Sequence, residues 1–342
     1  MITPSSPNQV KNKLSSILNF KGRKAEQAKQ VIISAAITRD SIENKAKKFS
    51  ISPQTARNYI EQTTIDKMTE KIKKLSIKKL KKRIKNHRPI KISIDWTSIE
   101  YYGKPVEGIG GSKQGYAWNY ATATTQINGK TLVLALTRIT KGMSKADIVK
   151  TLIEQVLALG VKISLVTLDA GFYSVDVLKY LSQFKFVVAV PVGDVKVHHD
   201  FDGIYRTRSK GKDRVAFRLI VHHRVRDGKR EYFAKGTNLD LPKYKVVRLY
   251  NEVRTPIETS YRMVKSFLIF TSSRSWVFRL FVFVLAILIY MLFMFVKGKM
   301  SREDFRLFLI LLFLFDNINY FYEYSFNALK SLFNTLDLFS RG

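Results

Sequence analysis

The chain has 342 residues, 46% of them hydrophobic, and 59 Lys and Arg against 27 Asp and Glu give a formal net charge of +32. This composition excludes a disordered polymer and leaves room for two or three domains; the charge calls for a polyanionic partner, nucleic acid or an anionic membrane surface. The absence of Cys excludes disulfides and thiolate metal sites and fits a reducing interior.

The charge is concentrated at one end. Residues 1–90 hold 22 Lys and Arg against 6 Asp and Glu. Within them, "KAEQAKQVIISAAI" has apolar residues at helical spacing, and "SIENKAKKF", the break "SIS" and "PQTARNYIEQ" follow. Pro53 suits a first helical position, with Ser52 before it as a cap. Two short helices about a tight turn, with Ala46 in the first and Ala56 and Tyr59 in the second, predict a helix-turn-helix-like unit over 41–62. Gln54, Thr55, Arg57 and Asn58 would face outward on the second helix, where such side chains read base edges or phosphates. The competing reading is an ordinary helical hairpin. Residues 1–66 are taken as an all-α DNA-binding domain. The stretch 67–88, "KMTEKIKKLSIKKLKKRIKNHR", is a basic, helix-prone linker, either solvated or touching phosphate.

The pattern then turns to strands. "PIKISIDWTSIEYYG" alternates, with Ile92, Ile94 and Trp96 on one side. "YAWNYATATTQI" and "KTLVLALTRIT" are the next two strands, joined by an Asn128–Gly129 turn. An amphipathic helix, the strand "VKISLVTLDAGF", the helix "SVDVLKYLSQF" and the strand "KFVVAVPV" complete an order β-β-β-α-β-α-β. That order predicts an α/β, RNase H-like mixed sheet. Short basic segments with Gly turns over 194–248, "KYKVVRLY" among them, read as a β-rich insertion. The helix "TPIETSYRMVKSFLIF" resumes at 255. The His pairs 198–199 and 222–223 read as surface residues.

Further on, residues 280–296 are 17 uninterrupted apolar residues between Arg279 and Lys297. The length is at the lower edge of a membrane span. A helix buried on all sides in a large core is the favoured reading; a basic membrane protein anchored by 280–296 is the alternative.

Three acids stand at distinctive points: Asp95 in the first strand, Asp169 ending the strand after the first long helix, and Glu258 on the helix after the insertion. In such a sheet the first and later parallel strands are neighbours, so Asp95 and Asp169 would lie side by side, with Glu258 on a helix packed across them. Three hard oxygen donors suit Mg²⁺ or Mn²⁺, and two such ions support phosphoryl transfer. Each acid also has a plain structural reading. For Glu258 it is a capping box, Thr255-Pro256-Ile257-Glu258. Glu258, Arg262 and Lys265 share one helical face, which suits a metal ligand beside phosphate binders and equally an exposed salt-bridged stripe.

"IDWTSIEYYG", "LDAGFYS" and "YNEVRTPIETSYRMVK" together resemble the DDE transposases of insertion sequences, in the insertion-sequence-4-like group and its archaeal relatives. The resemblance covers roughly 89–340 and implies a catalytic domain over 89–342. It also implies a β-rich insertion between the second Asp and the Glu; 88 residues lie between Asp169 and Glu258. The family's Y-R-E-K signature falls on Tyr250, Arg254, Glu258 and Lys265. Tyr250 stands three residues before Arg254 where the family pattern has two, and Thr255 replaces an aromatic.

The resemblance implies DNA cleavage and strand transfer with two Mg²⁺ or Mn²⁺ ions on Asp95, Asp169 and Glu258, and phosphates held by Arg254, Arg262 and Lys265. The partners would be the element's terminal inverted repeats and target DNA, engaged by a homodimer in the cytoplasm at the nucleoid, with no membrane. In the family the apolar C-terminal part, here 276–340, packs on the catalytic core. A catalytically inactive DNA-binding descendant and a junction resolvase of the same fold remain as rivals.

Overall fold

The computed structural model describes residues 18–63, 65–112, 115–207, 214–296 and 300–314. Expectations for the ends, before 18 and after 314, lie outside these residues. The contacts divide the chain into two compact units, residues 69–263 and a second formed by 1–68 together with 264–342.

The first unit is built on one mixed sheet. Its strands are β1 (Ile90–Tyr101), β2 (Gly110–Ser112), β3 (Gly115–Ile127), β4 (Lys130–Ile139), β5 (Ile163–Leu168), β6 (Phe186–Val190), β7 (Phe201–Arg206), β8 (Ala216–Arg226) and β9 (Lys229–Thr237). The order is β2-β3-β1-β5-β6-β9-β8-β7, with β4 also on β3. β1 runs antiparallel to β3 and parallel to β5, which is parallel to β6. This is the expected RNase H-like core. Asn128 (φ 51°) and Gly129 (φ 70°) make the predicted turn between β3 and β4. The insertion strands extend this sheet: β9 pairs antiparallel with β6 through Val187↔Thr237 to Val190↔Ala234.

The pleat sorts the two faces. Ile90, Ile92, Ile94, Ala121, Ala123, Val166, Leu168, Val188 and Val190 point to one side. There they meet α5 (Lys145–Leu157), through Ile148, Val149, Leu152, Ile153 and Val156, and α6 (Val175–Leu181), through Val177, Leu178 and Leu181; the short helix α7 (Val192–Val195) follows β6. Ser144 closes a capping box at the start of α5.

The basic stretch expected as a linker is helix α4 (Ile65–Lys85). It is not a solvated spacer. Leu80 joins the same core, and the Ser76 hydroxyl, fully buried, donates to the Val133 carbonyl of β4 at 3.0 Å.

The other face is covered by α8 (Lys243–Lys265). Leu165, Val187, Ala189 and Ile220 pack there against Val246 and Tyr250. Here the expectation is corrected: "KYKVVRLY" is helical, and the helix starts twelve residues before Thr255. Val246, Tyr250, Ile257, Tyr261 and Val264 are buried at helical spacing, and Lys245 and Val246 donate backbone hydrogen bonds to the Pro242 carbonyl at its start. Pro256 is therefore interior, and Thr255–Glu258 is no cap. Pro256 withholds the amide that Glu252 would have received, and burial of the flanking turns outweighs that loss.

The second unit is helical: α1 (Ala25–Thr38), α2 (Ile42–Ala46), α3 (Pro53–Glu61), α9 (Trp276–Val296) and α10 (Arg302–Leu314). Ser41 and Ser52 cap α2 and α3 by accepting from the Asn44 and Thr55 amides. α9 packs on α1 and α3, and α10 on α1. The Phe270 amide donates to the Asp40 carbonyl at 3.1 Å, joining the two chain segments. The C-terminal helices thus group with the N-terminal ones, where the resemblance implied the catalytic core. The stretch Trp276–Met294 has mean hydropathy 2.7, and 94% of it is buried inside the structure. Helix α9 is thus largely covered by protein.

Candidate active site

The face under α8 is polar for a buried surface. Ser93, Asp95, Thr122, Thr124, Thr167 and Lys235 are all at most 8% exposed. Their parity along the strands places them opposite the apolar core. Asp95 and Asp169 meet through strand register. β1 and β5 are parallel and in register at Ile94↔Leu168, so the next residue on each is an acid. Asp169 opens the short helical turn Ala170–Phe172. Phe172 packs on Trp96 with centroids 5.0 Å apart, and Trp96 lies on the side of Ile92 and Ile94. A Cβ on Gly171 would meet the Trp96 ring at 2.6 Å, so this close approach needs glycine.

Arg254 reaches down from α8 between the two acids. Its Nη1 lies 2.8 Å from Asp95 Oδ2, and its Nη2 lies 3.5 Å from Asp169 Oδ1. Nη1 makes no aligned hydrogen bond, so the Asp95 contact is a close ion pair off the hydrogen-bond axis. Asp95 is 6% exposed and takes a hydrogen bond from the Trp96 amide at 2.8 Å. Burial pushes its carboxyl above the usual range, and the Arg254 charge only partly offsets that. Burial also opposes the charge on Arg254, but Asp95 and then Asp169 outweigh it and hold the guanidinium more firmly protonated.

Two tyrosines of α8 bracket Arg254. The Tyr261 hydroxyl donates to the Asp95 carbonyl at 2.7 Å and pairs with Thr122 Oγ1 at 2.8 Å. The Tyr250 hydroxyl donates to the Leu168 carbonyl at 3.3 Å. The helix is thus bonded to the backbone of both strands, at Asp95 itself and at Leu168 just before Asp169. The Lys235 ammonium sits 4.0 Å from the centre of the Tyr250 ring. Burial lowers Lys235 to about 8, although Asp169 favours its charged form.

Sequence reasoning missed Lys235 and Tyr261. The strand parity of Lys235, opposite Leu219 and Val221 of the core, was the available signal; Tyr261 looked like one more apolar anchor. Tyr250 and Arg254 do lie at the acids. Glu258 is exposed on α8, one turn beyond Arg254, and Arg262 is exposed one turn further. Lys265 is half-buried at the helix end. Among the described residues no group of three His, Cys, Asp or Glu is arranged to hold a metal. Asp95 and Asp169 nevertheless fit Mg²⁺ or Mn²⁺ in kind. They are two hard carboxylates side by side, and the structure already holds a cation between them.

Gln54 and Asn58 are exposed on α3 and bonded to each other at 2.8 Å; Thr55 bonds Ser52 at 2.7 Å. Arg57 is ion-paired with Glu43 of α2. His198, His199 and His223 are exposed and His222 half-buried, with His223 held by Asp200 at 2.8 Å.

A cryo-EM structure of a piggyBac transposase synaptic complex with hairpin DNA superposes with a TM-score of 0.52 at 13% identity, covering 98% of this chain and 83% of that one. At such identity the likeness speaks to the fold alone. No curated protein matches the chain. Residues 5–62 match a domain of unknown function, DUF4322. Residues 86–292, more than half of the chain, match the model described as Transposase DDE domain, and the sheet, Asp95, Asp169 and α8 fall inside that match. The chain belongs to the Transposase DDE domain family.

Proposed function

We propose that this transposase cuts DNA at the ends of an insertion sequence and joins the freed ends to target DNA by metal-assisted phosphoryl transfer. The observation that carries the reading is the pairing of Asp95, inside β1, with Asp169, just past the end of the adjacent parallel strand β5, in a chain of net charge +32. Such a pair needs a cation, and phosphate needs the same one.

Asp95 and Asp169 would hold the ions, Mg²⁺ or Mn²⁺, two of them when DNA is bound. Glu258 is the third acid, about 40° round the helix from Arg254 at 3.6 residues per turn. Ions held there would stabilise charge on the attacking and leaving oxygens of an in-line displacement. Water cuts first, and the freed 3′-hydroxyl then attacks the target. Arg254, Arg262 and Lys265 bind phosphates along α8. Gln54, Thr55, Arg57 and Asn58 of α3 read the terminal repeats as a helix-turn-helix. Two ends must be joined, so the working form is a homodimer on double-stranded DNA, at the nucleoid and away from membranes.

The test is a Mg²⁺-dependent cleavage and strand-transfer assay on DNA carrying the element's ends. Asp169→Ala should abolish both products while DNA binding persists. A mutant that still cuts removes Asp169 from the site; cleavage without strand transfer in the wild type points to a nuclease such as a resolvase.

A further inference from the structure

The four charged side chains at the site cancel. Asp95 and Asp169 face Arg254 and Lys235, two charges of each sign. The guanidinium spans the gap between the carboxylates and touches one oxygen of each. A divalent ion held by both Asp95 and Asp169 would need a carboxylate oxygen of each about 2.1 Å away, in the gap that the Arg254 guanidinium fills. Each ion entering would also add two positive charges to a balanced, mostly buried cluster.

From this geometry we propose that Arg254 is a displaceable counter-cation: it keeps the two acids paired until a DNA phosphate takes the guanidinium, and only then do the acids accept metal. The inference rests on the reading of Asp95 and Asp169 as metal ligands and adds the condition under which they act.

Three features support it. The Arg254–Asp95 contact is close but misaligned, so the phosphate need not compete with an aligned hydrogen bond on Nη1. Guanidinium binds phosphate in a bidentate fork at least as well as it binds carboxylate. Asp169, whose side chain is 40% exposed against 8% for Asp95, gives the phosphate an approach from solvent. Asp95 lies behind it, and Tyr261 and Tyr250 keep both strands fixed while Arg254 moves. The device keeps the site free of metal until DNA is present, so that the acids are armed only on substrate.

The test reads metal binding, not activity. Free Mn²⁺ is counted by electron paramagnetic resonance during titration of the full chain, without DNA, for wild type, Arg254→Gln, Arg254→Lys and Arg254→Gln/Asp169→Asn. Arg254→Gln should bind Mn²⁺ about tenfold more tightly or better than wild type, since a unit charge a few ångströms away is removed. Arg254→Lys, which keeps the charge without the fork, should fall between them, and the double variant should lose the gain. In a second arm a short duplex is added, and Mn²⁺ bound by the DNA is subtracted with Asp95→Asn/Asp169→Asn protein. Wild type should then approach Arg254→Gln. Equal or weaker Mn²⁺ binding by Arg254→Gln, with binding still dependent on Asp169, overturns the displacement and leaves the metal site standing. Mn²⁺ binding indifferent to Asp95 and Asp169 in every variant overturns both.

Discussion

Tyr261→Phe isolates the bond between α8 and the catalytic strand. The Tyr261 hydroxyl has one proton, and it goes to the Asp95 carbonyl at 2.7 Å. At the 2.8 Å contact with Thr122 Oγ1, Thr122 must therefore be the donor. Thr122 is fully buried, so removing the phenol oxygen strands its hydroxyl at about 1–3 kcal/mol, and the lost bond to Asp95 adds about 1 kcal/mol. The ring stays, so no cavity forms, and the expected destabilisation is about 2–4 kcal/mol. Urea unfolding followed by circular dichroism should show a lower midpoint at unchanged slope. Tyr261→Phe/Thr122→Val should recover about half of the loss, because an apolar pair leaves no hydroxyl unpaired. Cleavage should fall as well, since Asp95 loses the anchor on its own carbonyl. A Tyr261→Phe protein within about 0.5 kcal/mol of wild type would refute the claim that this bond fixes α8 on β1.

Two further predictions concern Lys235 and Arg57. Lys235 sits at about 8, below its ordinary value of 10.5. Between those values the unfolded chain holds a proton that the folded chain does not, so stability should rise with pH from about 8 to 10, by roughly 2 kcal/mol. Lys235→Met should flatten that rise in unfolding midpoints measured across the window; an unchanged slope would mean that the lysine titrates normally. Arg57→Ala should weaken binding to element ends and lower the salt slope by about one in fluorescence anisotropy titrations. Glu43→Gln, which frees Arg57 from its ion pair, should not weaken binding. Unchanged affinity in Arg57→Ala would remove α3 from the DNA interface.

The acids were legible for a physical reason. An Asp inside an apolar alternation is costly unless something pairs with it, so Asp95 announced a partner even before Arg254 was seen beside it. The Asn128–Gly129 turn and the Ser52 cap were equally readable, because each depends on a few adjacent residues. The start of α8 was not. Thr255-Pro256-Ile257-Glu258 mimics a helix start in local chemistry, and only the burial of Val246 and Tyr250 against Leu165 and Ile220 shows that the helix begins earlier. Lys235 was hidden for a related reason. A lysine in a basic strand looks solvated until the pairing of β9 with β6 sets it opposite Ala189, on the face that α8 covers. The apolar run at 280–296 was ambiguous because length and composition are the same for a buried core helix and a span. What the sequence could not show is that α1 and α3 pack on it and bury most of its length.

The helical unit joins chain segments that are translated far apart. α1, with Val31, Ile32 and Ile33 fully buried, leaves the ribosome more than two hundred residues before α9, which packs on it. Until then only α2 and α3 cover it, and the side that meets α9 and α10 stays open, a situation that favours chaperone capture or aggregation. At elongation rates of about 5–20 residues per second, that exposure lasts on the order of ten seconds or more. A copy of the gene truncated before 276 would therefore yield more than a protein shortened at its tail. It would leave the N-terminal helices without the cover of α9 and α10, and such a product is more readily degraded than retained as a free DNA-binding fragment.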